Sequence, residues 1–192
     1  VEYLGPTREQ IATDKAGIVK PGSTLVLGET DPTLVPRFLD RGATDVVTRD
    51  ENFGVTANRP AHGGRVADLF TPNGRYDGVY VPLHGAYQAD NAAAALTAAE
   101  CFLGRPVSEE VVADAFRAVR SPGRLEVLDH QPLVLLDGAH NVAGAEALRA
   151  SPRSARAPMG SSGNTLRRRA APTASTTSPD EYGLSPMIRS DD

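Results

Sequence analysis

A short apolar run that ends in a polar loop constrains this 192-residue chain more than any other feature. Residues 132–136 read PLVLL, and an apolar run of this length is typical of a strand buried on both faces in a parallel sheet. The loop DGAHN (residues 137–141) follows and leads into an Ala-rich stretch that is predicted to be helical. A strand, a short polar loop and a helix form the geometry in which an open α/β sheet binds its ligand.

The acid, imidazole and amide of that loop have two interpretations, which the spacing alone does not separate. Asp137, His140 and Asn141 could form a binding site. Alternatively, Asp137 and Asn141 could cap the helix that follows, as such residues often do. A Pro-Gly turn at residues 121–123 precedes the strand and places Arg124 at its start.

The composition excludes several classes of protein. The net charge of −4 does not favour nucleic acid as a partner, and no apolar run approaches the length of a membrane span. The single cysteine, Cys101, cannot form an intrachain disulfide and is more typical of a small buried residue than of a nucleophile. We therefore expect a cytoplasmic monomer without nucleic-acid or membrane partners.

The remaining periodicities predict an α/β fold. Two strands, at residues 23–28 and 44–48, alternate with helices and imply a parallel pair with a right-handed crossover. Short alternating runs between residues 52 and 83 predict a small antiparallel patch. Helical periodicity is found over residues 4–19, 31–41, 84–103 and 108–119.

The composition changes abruptly at residue 151. Residues 151–192 are rich in Ser, Pro, Arg and Thr and have almost no aliphatic periodicity, so we predict that they are disordered. The aliphatic pattern stops in the middle of a predicted helix, and the Arg, Pro and Ser bias is typical of an out-of-frame reading of G+C-rich DNA. We interpret this tail as the product of a possible frameshift.

Two predicted helices carry polar residues at unusual places. Lys15 is one of only two lysines, and a helical wheel places it within an apolar arc. A buried ammonium must be paired or neutral, although Lys15 could also extend to the surface or pair with an acid. Gln88 and Asn91 are three residues apart and share a face in the first turn of their helix. That turn could bind a nucleotide or phosphate, but by itself a simple polar cap is the preferred interpretation.

Four blocks of this sequence together resemble the folylpolyglutamate synthase/dihydrofolate synthase family, a branch of the Mur ligases. The resemblance implies an α/β fold with part of a P-loop-type ATPase domain at residues 1–120. It also implies the start of a Rossmann-like C-terminal glutamate-ligase domain at residues 121–150. The blocks are LGPTREQIATDKAGIVKPG (residues 4–22), LHGAYQADNAAAAL (83–96), SPGRLE (121–126) and LLDGAHN (135–141).

The resemblance implies an ATP-dependent ligase that adds L-glutamate to dihydropteroate or a reduced folate through an acyl phosphate, with Mg²⁺ on the phosphoryl oxygens. In that family Lys15 would match a carbamylated lysine that holds magnesium. His140 would match a histidine close to the γ-phosphate and the incoming glutamate. These two residues are the predicted catalytic residues.

The resemblance also implies a nucleotide site formed by four residues. Asn91 matches an amide that contacts adenine, with Gln88 beside it. Arg124 matches an arginine that reaches the ATP phosphates, and Asp137 matches an acid near the ribose. These assignments place the nucleotide in a cleft between two domains.

Three departures from the family pattern are visible. Tyr87 stands where the family usually has histidine, and Asp14 stands where it usually has glutamate. The chain contains no Gly-Lys pair, so the family's phosphate-binding loop is missing and we expect the chain alone to be inactive. The alternatives are another Mur ligase, which acts on a peptidoglycan precursor, and a non-catalytic nucleotide-binding or interaction module that uses the Arg cluster at residues 167–169.

Overall fold

The computed structural model of the chain describes residues 7–139 and Gly144, which lie in one compact unit. The predicted site residue His140 and the predicted disordered tail at residues 151–192 lie outside the described residues. No helix of the described part is long and apolar enough to cross a membrane. The elements are α1 (Arg8–Ala16), β1 (Thr24–Leu27), α2 (Val35–Leu39), β2 (Asp45–Thr48), β3 (Gly54–Ala61), β4 (Gly64–Thr71), β5 (Gly74–Val81), α3 (Tyr87–Leu103), α4 (Glu109–Arg117), β6 (Glu126–His130) and β7 (Leu133–Leu136).

Strands β1 and β2 form the predicted parallel pair, with Leu25 opposite Val46. The helix between them, α2, has only five residues, although the sequence predicts a helix over residues 31–41. The carboxylate of Asp31 accepts hydrogen bonds from the backbone N–H and the hydroxyl of Thr33. Because this local turn competes with helical hydrogen bonding, the helix begins later than the apolar pattern predicts.

Strands β3, β4 and β5 form an antiparallel sheet in that order, which confirms the predicted patch between residues 52 and 83. The central strand, β4, is the most buried of the three. Register shifts in both strand pairs, near Val55 and near Ala67, add twist to this small sheet.

The core forms where α3 packs on this sheet. Three of the seven buried residues of α3 are alanines, and such small side chains let the helix axis approach the strands closely. Gly104 ends α3 in the left-handed conformation at φ 64°. The core residues of the sheet and helix are Phe53, Ala67, Leu69, Tyr76, Val79, Val81, Ala89, Ala92, Ala93 and Leu96.

Helix α4 follows with Ser108 at its N-cap, within the helical periodicity predicted over residues 108–119. Its contact with the core is narrow, because Val112 is buried but Val111 and Ala115 are exposed. The reason is that α4 packs at the edge of the sheet, on β5, where one side of the helix stays in solvent.

The apolar run at residues 132–136 is not buried on both faces, so that prediction is wrong. The strand it forms, β7, pairs antiparallel with β6, with Val127 opposite Leu135. Its side chains alternate between half-buried and exposed, and Leu136 is 47% exposed. Within the described residues no further strand flanks this hairpin, and the face of β7 that carries Val134 and Leu136 stays exposed.

A buried carboxylate joins α3 to the sheet and to the segment before α4. Glu100 is only 1% exposed, and it accepts hydrogen bonds from the Tyr76 hydroxyl, the Asn73 amide and the backbone N–H of Val107. Burial alone would raise the pKa of Glu100. Hydrogen bonds, with that from Thr71 the largest, outweigh burial and lower the pKa below its ordinary value of 4.5.

We expect Glu100→Leu to reduce the free energy of unfolding by about 3 kcal/mol, because buried donors lose their acceptor. Urea unfolding followed by circular dichroism measures this change. Glu110→Leu on the exposed side of α4 is the control and should have little effect. Equal losses in the two variants would show that the Glu100 hydrogen bonds contribute no stability.

The same carboxylate predicts a pH dependence. The pKa of Glu100 is lower in the folded chain than in the unfolded one, so its contribution is fully present above pH 4.5 and is lost as the pH falls through the folded pKa. The stability difference between the native chain and Glu100→Leu should therefore shrink below about pH 4.5. A difference that stays constant down to pH 3 would contradict the assignment of a charged Glu100.

Candidate functional site

The first turn of α3 is held in place by the loop and strand that lie beside it. Ala86 is the N-cap and provides no side-chain cap, but its carbonyl accepts a hydrogen bond from the Asn58 amide on β3 at 2.9 Å. Gly85 adopts φ +100°, and a Cβ atom there would lie 2.6 Å from the ring of Tyr87. Only glycine therefore allows the Tyr87 ring to fold back over the start of the helix.

Gln88 and Asn91 lie on one face of this turn, as the sequence predicts. The Asn91 amide nitrogen donates to the Gln88 side-chain oxygen at 3.0 Å. Gln88 is buried and Asn91 is exposed, and the amide oxygen of Asn91 has no hydrogen bond to a described residue. An amide oxygen in this position can accept a hydrogen bond from the exocyclic amine of a nucleobase.

Arg124 lies on the Pro-Gly turn that the sequence predicts. The turn closes with a hydrogen bond from the Arg124 N–H to the Ser121 carbonyl at 3.2 Å, and Gly123 supplies φ +70°. The Arg124 side chain is exposed and forms no ion pair with any described residue. An unpaired guanidinium on a fixed turn is suited to a bidentate contact with a phosphate.

Asp137 ties the Pro-Gly turn to the loop after β7. One carboxylate oxygen accepts from the Leu125 N–H and the other from the Ala139 N–H, both at 2.8 Å. The Gly138 N–H donates to the Gly123 carbonyl at 2.7 Å. Neither sequence interpretation of Asp137 includes this role, which fixes the backbone that carries Arg124.

Tyr87 shows that these elements meet. Burial raises the pKa of the Tyr87 phenol, the negative charge of Asp137 raises it further, and the positive charge of Arg124 partly offsets the rise. These electrostatic effects require both charges to be near the ring. The charges of Arg124 and Asp137 therefore lie within electrostatic range of the start of α3, which carries Gln88 and Asn91.

Lys15 does not lie in a buried apolar arc, so that expectation is wrong. A capping box formed by Thr7 and Gln10 starts α1, and the helix already ends at Ala16. Ile18, which contributes to the predicted arc, lies beyond the helix and is 80% exposed. Lys15 is exposed, and its side chain has no hydrogen bond or ion pair to a described residue.

The described residues contain no group of three or more His, Cys, Asp or Glu side chains that could hold a metal ion. A magnesium site would therefore need a ligand of another kind, such as a modified lysine or a phosphate oxygen. Of the six predicted site residues, four lie at the start of α3 or within electrostatic range of it, Lys15 lies on the surface and His140 is not described.

Three residues that build the start of α3 are not among the predicted site residues. Asn58 and Arg65 lie on β3 and β4, within a stretch whose polar residues have no visible motif. His84 lies directly before Gly85, and its position beside a helix start was the available signal.

Comparisons with known proteins agree with the resemblance, although no family model matches the sequence. A dihydrofolate synthase/folylpolyglutamate synthase of Mycobacterium tuberculosis is 39% identical over 161 residues, which cover 77% of this chain and 33% of that protein. The chain spans about a third of the length of the curated relatives it matches.

Two solved structures share the fold. The folylpolyglutamate synthase of Mycobacterium tuberculosis complexed with ADP has a TM-score of 0.72 and 38% identity, and the match covers 79% of this chain and 35% of that chain. An FPGS–AMPPCP–folate complex has a TM-score of 0.74 and 29% identity, covering 80% of this chain and 39% of that chain. The predicted α/β class is confirmed, and the chain belongs to the folylpolyglutamate synthase/dihydrofolate synthase family of Mur-type ligases.

Proposed function

We propose that this chain supplies the nucleobase-binding side of the ATP site in a ligase that adds L-glutamate to dihydropteroate or a reduced folate. The observation that carries the proposal is that Asp137 holds the turn of Arg124 by hydrogen bonds, and that the charges of both residues act on Tyr87 at the start of α3. The similar proteins bind ADP, or AMPPCP with folate, in their solved structures.

The proposed nucleotide contacts follow from the groups that remain unpaired. The exposed Asn91 oxygen accepts from the adenine amine, and the Arg124 guanidinium donates to phosphate oxygens. Both Asp137 oxygens already accept backbone hydrogen bonds, but a carboxylate has further lone pairs that can accept from a ribose hydroxyl. ATP fits this donor and acceptor set.

In the proposed reaction, the γ-phosphoryl group of ATP is transferred to the folate carboxylate, and the amine of glutamate then displaces phosphate to form the amide. Lys15 is proposed to carry the carbamate that holds Mg²⁺, and His140 is proposed to lie near the phosphoryl group. The support for Lys15 is its DKAGIVKPG block and its unpaired, exposed amine, which can react with CO₂. Because Lys15 is exposed, burial does not support this assignment.

The relatives named dihydrofolate synthase/folylpolyglutamate synthase support folate compounds as the substrates. We propose a cytoplasmic, monomeric enzyme with small-molecule substrates. The competing assignment, a non-catalytic nucleotide-binding module, uses the same nucleotide contacts, so the two variants below test what both assignments share.

Arg124→Gln should weaken the binding of Mg-ATP by about tenfold, because a charge-assisted contact to phosphate is lost. Isothermal titration calorimetry of the 192-residue chain measures the affinity. Arg117→Gln is the matched control, since Arg117 is exposed and pairs only with Asp114 on its own helix. The assignment of Arg124 is wrong if both variants bind Mg-ATP as tightly as the native chain.

Asn91→Ala should weaken the binding of ATP several-fold while leaving the binding of inorganic tripolyphosphate unchanged. The reason is that Asn91 is proposed to contact the base and Arg124 the phosphates. Calorimetric titrations with the two ligands, each with Mg²⁺, separate these contributions. An equal loss for both ligands would mean that Asn91 acts through the fold and does not contact the base.

A further inference from the structure

A buried arginine that the proposed nucleotide contacts do not use lies next to the start of α3. Arg65 on β4 is opposite Val81, the last residue of β5, from which the chain turns toward His84. Arg65 is only 6% exposed, and its Nε donates to the side-chain oxygen of Asn58. The same Asn58 side chain bonds the Ala86 carbonyl at the N-cap of α3, so Arg65 lies beneath the start of that helix.

The positive charge of Arg65 is not neutralised within the described residues. Its terminal nitrogens form no hydrogen bond there, and no carboxylate forms an ion pair with it. Asp90, the acid in the first turn of α3, pairs with neither Arg65 nor His84. Burial lowers the pKa of Arg65, as expected for a cation that is partly removed from water without an opposite charge beside it.

His84 follows the end of β5 by three residues, and one nitrogen of its imidazole ring has no hydrogen-bond partner. Its Nδ1 atom is fully buried without a partner, and no other buried side-chain nitrogen or oxygen of the described residues is in that state. Burial lowers the pKa of His84, and the positive charges of Arg65 and His130 lower it further. An unpaired buried ring nitrogen near a positive charge is the surrounding expected of an anion site.

The N-terminus of α3 adds to the positive electrostatic potential near Arg65. The N-terminus of the 17-residue helix α3 carries partial positive charge, and Ala86 offers no side chain to cap it. Arg65 and this N-terminus carry positive charge, and His84, which lies between them in the sequence, contributes the unpaired ring nitrogen. We propose that they form a binding site for a small oxyanion, a phosphate or carboxylate group, with the Arg65 guanidinium and the His84 imidazole as its donors.

The test follows the four histidines of the native chain by NMR while inorganic phosphate replaces chloride at constant ionic strength. We expect the His84 ring signals to shift saturably over the millimolar range and the pKa of His84 to rise, because a bound anion favours the imidazolium form. If phosphate leaves the His84 signals and pKa unchanged, or binds as an adventitious ion only, with the same weak shift at every histidine, the proposal is overturned.

Variants then identify the donors. Arg65→Gln should weaken phosphate binding by about tenfold and Arg65→Lys should weaken it less, because lysine keeps the charge but loses the bidentate geometry. Arg59→Gln on β3 is the control, since Arg59 is largely exposed. Unchanged phosphate affinity in folded Arg65→Gln would overturn the proposal. If this variant does not fold, Arg65→Lys and the native-chain titration still decide.

Competition distinguishes the two sources of the oxyanion. Displacement of phosphate from His84 by ATP assigns the site to a phosphate of the nucleotide, and displacement by L-glutamate assigns it to a substrate carboxylate. Both results support the site. The Arg124→Gln variant should still bind phosphate at His84, so a failure of the nucleotide assignment and a failure of this proposal give different results.

Discussion

The packing of α3 on the antiparallel sheet is the constraint on which the rest of the described structure depends. Ala89, Ala92 and Ala93 on the helix meet Ala67 and neighbouring aliphatic residues on the sheet, and all of them are buried. Close-packed small residues leave little freedom for the helix to slide or rotate. The position of the first turn of α3, with its polar residues, is therefore determined by the core.

The loops that complete the candidate site are held by hydrogen bonds and by the buried side chain of Leu125. Asp137 joins the turn of Arg124 to the segment after β7, and Asn58 joins the start of α3 to the sheet. The hairpin of β6 and β7 is half exposed. The core thus positions the helix, and hydrogen bonds together with Leu125 hold the turn that carries Arg124.

Much of this architecture is predictable from local patterns. The alternation of strands with helices predicts the parallel pair, short alternating runs with Gly-containing turns predict the antiparallel patch, and the Ala-rich periodicity predicts α3. These predictions hold because each apolar pattern matches the burial of its element in the structure. The apolar run at β7 does not by itself determine burial, since burial depends on what packs against the two faces of the strand. The prediction of a buried Lys15 is wrong because the helical wheel assumes a helix that continues through Ile18. The helix α1 ends at Ala16.

Some features of the candidate site are also predictable from local sequence, and others depend on tertiary contacts. The spacing of Gln88 and Asn91 and the Pro-Gly turn before Arg124 are local, and the structure confirms both features. The bonds from Asp137 to Leu125 and from Asn58 to Ala86 span 12 and 28 residues, and no local pattern signals them. The cluster of Arg65 and His84 is also formed by tertiary contacts alone.

The central claim is that the first turn of α3 and the turn of Arg124 form one nucleotide site. The most direct measurement is a map of backbone amide NMR shifts of the chain on addition of Mg-ADP. We expect the largest shifts to cluster at residues 85–91 and 121–125, together with Asp137. Shifts that spread over α4 or the β1–β2 pair and leave these segments unchanged would contradict a single nucleotide site.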